Sequence, residues 1–310
     1  MIATTPLNET GEAVGSVASG AELSEFPQAP MTQGNLGLGA MNNCSLHAGS
    51  YYGGIDARIE SSCGLLSQVV HLSGCCLPMH AHVQAYFSLL LAGDYLESSG
   101  GSEWRYQPFD AGYHPAQLPH RDSIGAAGAR FICLEVSAAA LDAAEVRIVD
   151  FTLLPADIAV QLLRLYRPLT VGTLAAIDCE NAVWELCDGI SGGAHFAERG
   201  QPGWLRRSLE LIEEEFGEPL TVQDIARRSG IHPVHLSREF RRRFGESLGE
   251  YTNKVRVRRA CALMTRDTGP LAAVAAATGF ADQSHFCRVF KSLLRCTPSE
   301  FRGCTRSRVR

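Results

Sequence analysis

Four side chains in the first half of this 310-residue chain have types and spacings suited to metal or proton chemistry. His80 and His82 stand two apart, so on a strand both point to the same face. Tyr86 follows on the same stretch, and His120 lies further along. Two imidazoles from one strand and a third from a facing strand make a facial set, a geometry suited to Fe, Zn, Mn or Cu. The same rings and the phenol can instead serve as plain hydrogen-bond groups around a small molecule. His114, beside Pro115, is a weaker member of the group.

A second constellation, built on arginine, occupies the other half. Leu236-Ser237-Arg238-Glu239-Phe240 recurs as Phe286-Cys287-Arg288-Val289-Phe290. Each copy stands behind an alanine-x-x-x-glycine step, Ala226 to Gly230 and Ala275 to Gly279. A small residue lets two helices approach, and glycine turns the chain at little steric cost. With the leucine and phenylalanines facing a core, the helical period sends another set outward. In the first unit it is His232, Val234, His235, Ser237, Arg238, Arg241 and Arg242. In the second it is Asp282, Gln283, Ser284, His285, Cys287, Arg288 and Lys291. Arginine can take guanine O6/N7 with two bonds and glutamine can take adenine, while further cations hold phosphates. A plain bundle with a solvated face has no need of arginine at the same place twice. The pattern predicts two helix-turn-helix elements that enter DNA grooves.

The elements that position these groups follow from period and punctuation. Residues 1–40 carry few large apolar groups and are expected to be mostly disordered. Over 41–150 short apolar runs such as Leu65–Leu72, Tyr86–Leu91 and Phe131–Val136 alternate with Gly, Pro and Ser, which predicts a β-barrel or sandwich. Over 151–190 the period becomes helical. Ile158, Leu162, Leu163 and Tyr166 share one face, and Ala182, Leu186 and Ile190 another, giving a helical pair. Its apolar area exceeds what one small barrel needs, so the pair is expected to mediate a homodimer. A Gly-rich linker, 191–203, precedes an all-helical segment, 204–303. Thr221 with Asp224, Ser247 with Glu250 and Thr297 with Glu300 have the spacing of capping boxes.

Charge divides along the same line. Residues 1–200 hold 8 Lys and Arg against 21 Asp and Glu, whereas 201–310 hold 20 against 12. Only the C-terminal half is suited to meet a polyanion. Eleven cysteines, an odd number with no C-x-x-C, fit reduced thiols in a cytoplasm, and nothing marks one as a low-pKa redox sensor. The first residues lack a signal-peptide pattern, and no apolar run is long enough to span a membrane.

Residues 204–303 resemble the DNA-binding domain of the AraC/XylS family of bacterial transcription regulators. The match includes Ile225-Ala226, His235-Leu236-Ser237-Arg238, Phe244-Gly245, Glu250-Tyr251, Gly279-Phe280, Asp282 to Phe286, Phe290-Lys291 and Thr297-Pro298. The resemblance implies seven helices, two recognition helices joined by a long helix over 247–264, and Arg238 and Arg288 at base-contacting places. Two departures stand out. Arg295 occupies the place of a helix-ending glycine, matched by Gly245 in the first copy, and His232 the place of a serine-like cap. Upstream, Gly74, His80, His82, Tyr86 and Gly93 have the spacing of the first cupin motif, with Tyr86 in place of its glutamate. Pro115 and His120 match the core of the second motif.

The expected fold class is therefore α+β with two domains: an N-terminal cupin-like β-barrel with a helical pair, and a C-terminal all-α domain with two helix-turn-helix units. The expected function is sequence-specific regulation of transcription, without a catalytic role, controlled by a small effector at His80, His82, Tyr86 and His120. Two alternatives remain open: a metal-dependent cupin enzyme, and a ligand-independent regulator whose barrel is a dimerisation scaffold. The one cofactor these residues suggest is a divalent metal on His80, His82 and His120. Expected partners are double-stranded DNA, a small-molecule effector, RNA polymerase and a second copy of the chain, with no membrane.

Overall fold

A computed structural model describes residues 44–191, 202–266 and 268–306. The segment expected to be disordered, 1–40, and most of the linker, 191–203, lie outside the described residues. The N-terminal half is sheet-rich. Its strands are β1 (Cys44–Leu46), β2 (Gly54–Glu60), β3 (Gly64–His71), β4 (Cys75–Cys76), β5 (His80–His82), β6 (Ala85–Ser99), β7 (Ser102–Tyr106), β8 (Ala111–His114) and β9 (Arg121–Val136). A short helix, α1 (Ala138–Ala143), and strand β10 (Thr152–Leu154) lead to α2 (Ala156–Val171) and α3 (Ala176–Ser191).

Strands β6 and β9 are the spine. They pair antiparallel from Ala85 opposite Val136 to Ser98 opposite Arg121. Both run well past the apolar runs Tyr86–Leu91 and Phe131–Val136, and the polar Glu97, Ser99 and Asp122 in these extensions are buried. The order across the sheet is β10-β8-β6-β9-β3-β2, with β4 on β9 and β7 on β6, while β1 pairs with β5 separately. The two ends of this path do not pair with each other, so the described strands form no closed barrel. Bulges between Leu90 and Ala92 and between Gly93 and Tyr95 bend the spine. Gly93 is required there: its φ is +101°, and a Cβ would come within 1.9 Å of the Gly128 carbonyl oxygen.

The C-terminal half is helical: α4 (Gly203–Glu214), α5 (Val222–Ser229), α6 (Pro233–Phe244), α7 (Leu248–Arg266), α8 (Leu271–Ala277), α9 (Gln283–Leu294) and α10 (Pro298–Arg306). It is welded to the first half. Helix α2 buries Ile158, Leu162, Leu165, Tyr166 and Leu169, and it packs on α3, α7, α9 and α10. Phe301 of α10 lies 5.8 Å from Tyr166 and 6.0 Å from Phe109, centroid to centroid. The Arg258 guanidinium on α7, 7% exposed, bonds Asp110 at 2.8 Å and also Glu213. The Arg164 Nε–H donates to the Leu293 carbonyl at 2.6 Å. Much of the apolar area on α2 thus covers the chain's own helical half. On α3, Ile177 and Trp184 remain exposed.

Candidate functional site

Local chemistry aims the two arginine helices. Thr221 and Asp224 form a complete capping box ahead of α5, and Gly230 ends that helix in the left-handed conformation. His232 caps α6: its Nδ1 accepts the Val234 N–H at 3.3 Å, the service a serine hydroxyl would give. Asp282 caps α9 by accepting the His285 N–H at 2.7 Å. Ser247 with Glu250 and Thr297 with Glu300 cap α7 and α10 reciprocally. Arg295 ends α9 at φ 58°, where Gly245 ends α6 at φ 71°.

With Leu236 and Phe240 of α6 and Phe286 and Phe290 of α9 fully buried, the opposite faces are open. His232, Val234, His235, Ser237, Arg238, Arg241 and Arg242 are exposed, as are Asp282, Gln283, Ser284, Arg288 and Lys291. His285 and Cys287 are half-buried, and the His285 ring meets Phe280 edge-on at 5.4 Å. Some of these groups have local partners. Arg242 Nε bonds Glu239 at 3.0 Å, and Arg238 reaches the His235 Nδ1 at 3.3 Å. The Asp282 carboxylate is spent on its helix end.

The second site lies inside the sheet. His80 and His82 come from β5, which is bridged to His120 by two backbone bonds of 2.8 and 2.9 Å. Ligating atoms of His80, His82 and His120 lie within 4.8 Å of one another, all three side chains buried. His80 Nδ1 faces the Pro78 carbonyl at 2.9 Å, and His120 Nδ1 faces the Leu118 carbonyl at 3.0 Å. A carbonyl only accepts, so each Nδ1 carries the proton and each Nε2 keeps its lone pair. Tyr86 stands 3.3 Å from the His120 Nε2 and stacks on His114 at 4.1 Å. Burial holds all four imidazoles below their ordinary range, with His82 down to about 2 and His114 to about 3.

Two carboxyls were missed by reading the sequence. Glu97 on β6 is fully buried and sits directly opposite Asp122 of β9. Glu97 approaches His114 Nδ1 at 3.3 Å, and Asp122 approaches His80 Nε2 at 3.7 Å. Burial pushes the Glu97 carboxyl up to about 7. It pushes Asp122 to about 6, and the neighbouring Glu97 adds to that rise. The available signal was alternation: Tyr95, Glu97 and Ser99 follow the Gly93 bend with period 2, all facing inward.

Space separates the possible occupants. The cavity lined by Tyr51, Tyr52, His80, His82, Tyr86, His114 and Asp122 holds about 30 Å³. That is the room of an ion or of one or two waters. A larger cavity of about 260 Å³ lies between the sheet and helices α2, α7 and α10. Val70, His71, Leu91, Ala129, Arg130, Tyr166, Thr265 and Thr305 line it. The eleven cysteines are all free, and burial raises the thiols of Cys187 to about 12 and Cys296 to about 11, the reverse of a reactive thiolate. Among the described residues no helix is long and apolar enough to cross a membrane.

Comparison with known proteins agrees with the helical half. A helix-turn-helix domain family matches residues 225–303. The regulatory protein SoxS of Salmonella typhimurium is 32% identical over 98 residues, which span 32% of this chain and 92% of SoxS. The chain belongs to the AraC/XylS family of transcription regulators. The putative transcriptional regulator YkgA of Escherichia coli is 35% identical to this regulator over 98 residues, 32% of the chain and 41% of YkgA. The chain therefore spans less than half the length of that relative. A solved AraC-type DNA-binding domain protein from Chromobacterium violaceum is 27% identical over 34% of the chain and 94% of its own, with a TM-score of 0.33. These relatives are regulators rather than enzymes, and an AraC-type domain implies binding to double-stranded DNA.

Proposed function

We propose that this AraC/XylS regulator is a cytoplasmic, sequence-specific DNA-binding protein whose sheet half, cupin-like in its motifs, senses a small effector. One observation carries the reading: α6 and α9 each bury a Leu/Phe or Phe/Phe face and turn Arg238 or Arg288 to solvent at matching places. Arg238, Arg288 and Gln283 read bases, while Arg241, Arg242 and Lys291 hold phosphates. Val234, His235, Ser237, Ser284 and His285 complete the two contact faces. Sensing is transmitted through the core that α2 shares with α7, α9 and α10, since a ligand that favours one packing shifts the population of DNA-competent molecules. An organic effector has room in the 260 Å³ cavity, where Thr265 and Thr305 of the DNA-binding half face the sheet. A second copy of the chain pairs through the outer face of α3, and RNA polymerase is a further partner.

The test is binding of the full chain to selected and scrambled duplexes at several salt concentrations. Arg238→Ala and Arg288→Ala should each cost about 1–3 kcal/mol on the selected site only. Arg241→Ala should weaken both duplexes alike and lower the salt slope. Equal, sequence-blind losses from all three would refute the assignment of base readers.

A second reading of the sheet half rests on the lone pairs of His80 and His120, fixed by backbone carbonyls as metal-binding histidines are. In that reading the sensed species is a divalent ion on His80, His82 and His120, and the 30 Å³ space fits it.

A further inference from the structure

The sheet interior holds a second cluster that the cupin spacing does not include. Glu97 and Asp122 face each other as a cross-strand pair on β6 and β9, both buried. Like charges directly opposite one another repel, and in a dry interior they repel strongly. After burial itself, the strongest influences on these two carboxyls come from His120 and Tyr106 at Glu97, and from Glu97, His80 and Tyr95 at Asp122. An uncompensated buried carboxylate pair needs a proton or a cation.

The neighbouring donors favour a cation. The Glu97 Oε1 and the His114 Nδ1 lie 3.3 Å apart, yet neither has a hydrogen bond of acceptable geometry among the described residues. The other nitrogen of His114 is already engaged, with the Ser88 hydroxyl at 3.1 Å and the Tyr106 hydroxyl at 3.3 Å. His120 spends its Nδ1 on Leu118, so its Nε2, which the Tyr86 hydroxyl approaches at 3.3 Å, is the nitrogen that faces the cluster. Ligating atoms of Glu97, His114 and His120 lie within 4.8 Å of one another, and all three side chains are buried. Buried polar atoms without partners cost free energy, and one ion between them would satisfy several together.

We propose that Glu97, His114 and His120 form a two-histidine, one-carboxylate site for a divalent first-row transition ion, with Asp122 balancing its charge from the opposite strand. The donor set is of the kind that suits Fe(II), Mn(II), Zn(II) and Co(II). Glu97 thereby supplies the carboxylate that Tyr86 cannot. His120 has only its Nε2 to offer, once the Tyr86 hydroxyl 3.3 Å away gives way, so it serves either this site or the His80–His82 pair, and one ion is bound per chain. The proposal builds on the reading that the buried histidines serve an ion, but it sets Glu97 and His114 beside His120 in place of His80 and His82, so variants tell the two apart.

The experiment is a Co(II) titration of the metal-stripped full chain, followed by the d–d absorption of the bound ion and by metal content after dialysis. Wild type should bind one Co(II) with a tetrahedral or five-coordinate spectrum. Glu97→Gln and His114→Asn should each weaken binding by roughly 100-fold or more, since even outer partners of metal ligands are worth 10–100-fold. His82→Ala should leave affinity and spectrum nearly unchanged. If His82→Ala abolishes binding while Glu97→Gln and His114→Asn retain it, the ion belongs to His80, His82 and His120 and the present site is wrong. If wild type takes up no ion, both metal readings fall. Thermal melting of each metal-free variant checks folding, and whichever of Glu97→Gln and His114→Asn folds suffices for the decision.

Discussion

Replacing Arg258 by methionine should loosen the joint between the two halves of the chain. Its guanidinium is 7% exposed and bridges Asp110 of the sheet half to Glu213 of α4, partners that are 20% and 28% exposed. A hydrogen bond to a charged group contributes about 1.5–3 kcal/mol, and breaking a fully buried ion pair from one side costs about 3–5 kcal/mol. The two acids keep some access to water, which returns part of that loss. Methionine also fills much of the volume. The expected cost is therefore about 2–3 kcal/mol, a factor of roughly 30 or more in the ratio of folded to unfolded chain. Asp110→Asn should cost only about 1 kcal/mol, because Glu213 still neutralises the arginine. In the Arg258→Met background the same Asp110→Asn change should cost close to nothing. The assay is urea unfolding of the full chain and its three variants, comparing midpoints at unchanged slope. A coupling below about 0.5 kcal/mol between positions 110 and 258 would refute the claim that this contact joins the halves.

Three further outcomes follow from particular geometries. Arg295→Gly should raise stability by about 1 kcal/mol in thermal or urea unfolding, because a non-glycine residue at φ 58° pays for the left-handed conformation. Gly93→Ala should lower it by about 3 kcal/mol or abolish folding, combining a φ of +101° with a Cβ 1.9 Å from a backbone oxygen. Trp184→Glu should convert a dimer to a monomer in sedimentation at micromolar concentration without changing the melting temperature of the subunit, since Trp184 and Ile177 share an exposed face of α3.

What could be read from the sequence was local chemistry. Caps at Thr221, Ser247 and Thr297 were legible because each partner lies three residues away. The outward arginines on α6 and α9 followed from the helical period and the placement of Leu236, Phe240, Phe286 and Phe290. His80 and His82 were legible as one face of a strand. The proximity of the His120 ring to both, as a backbone-bridged neighbour, was a matter of motif spacing. Charge division between the halves needed only counting.

The tertiary structure decided the rest. Glu97 stands opposite Asp122 because two bulges set the register of β6 against β9, and no local pattern encodes a register between residues so far apart. The same pairing carries β6 and β9 beyond their apolar runs into polar stretches. Helix α2 carries an apolar surface that could cover a partner or the chain's own second half. Only packing assigned Leu162, Tyr166 and Leu169 to a core shared with α7, α9 and α10. Arg258 read as one more cation in a basic segment; its burial between Asp110 and Glu213 depends on two elements meeting from opposite halves of the chain. Hydrophobic burial is non-directional, so a sequence states how much apolar surface must be covered, and the fold chooses what covers it.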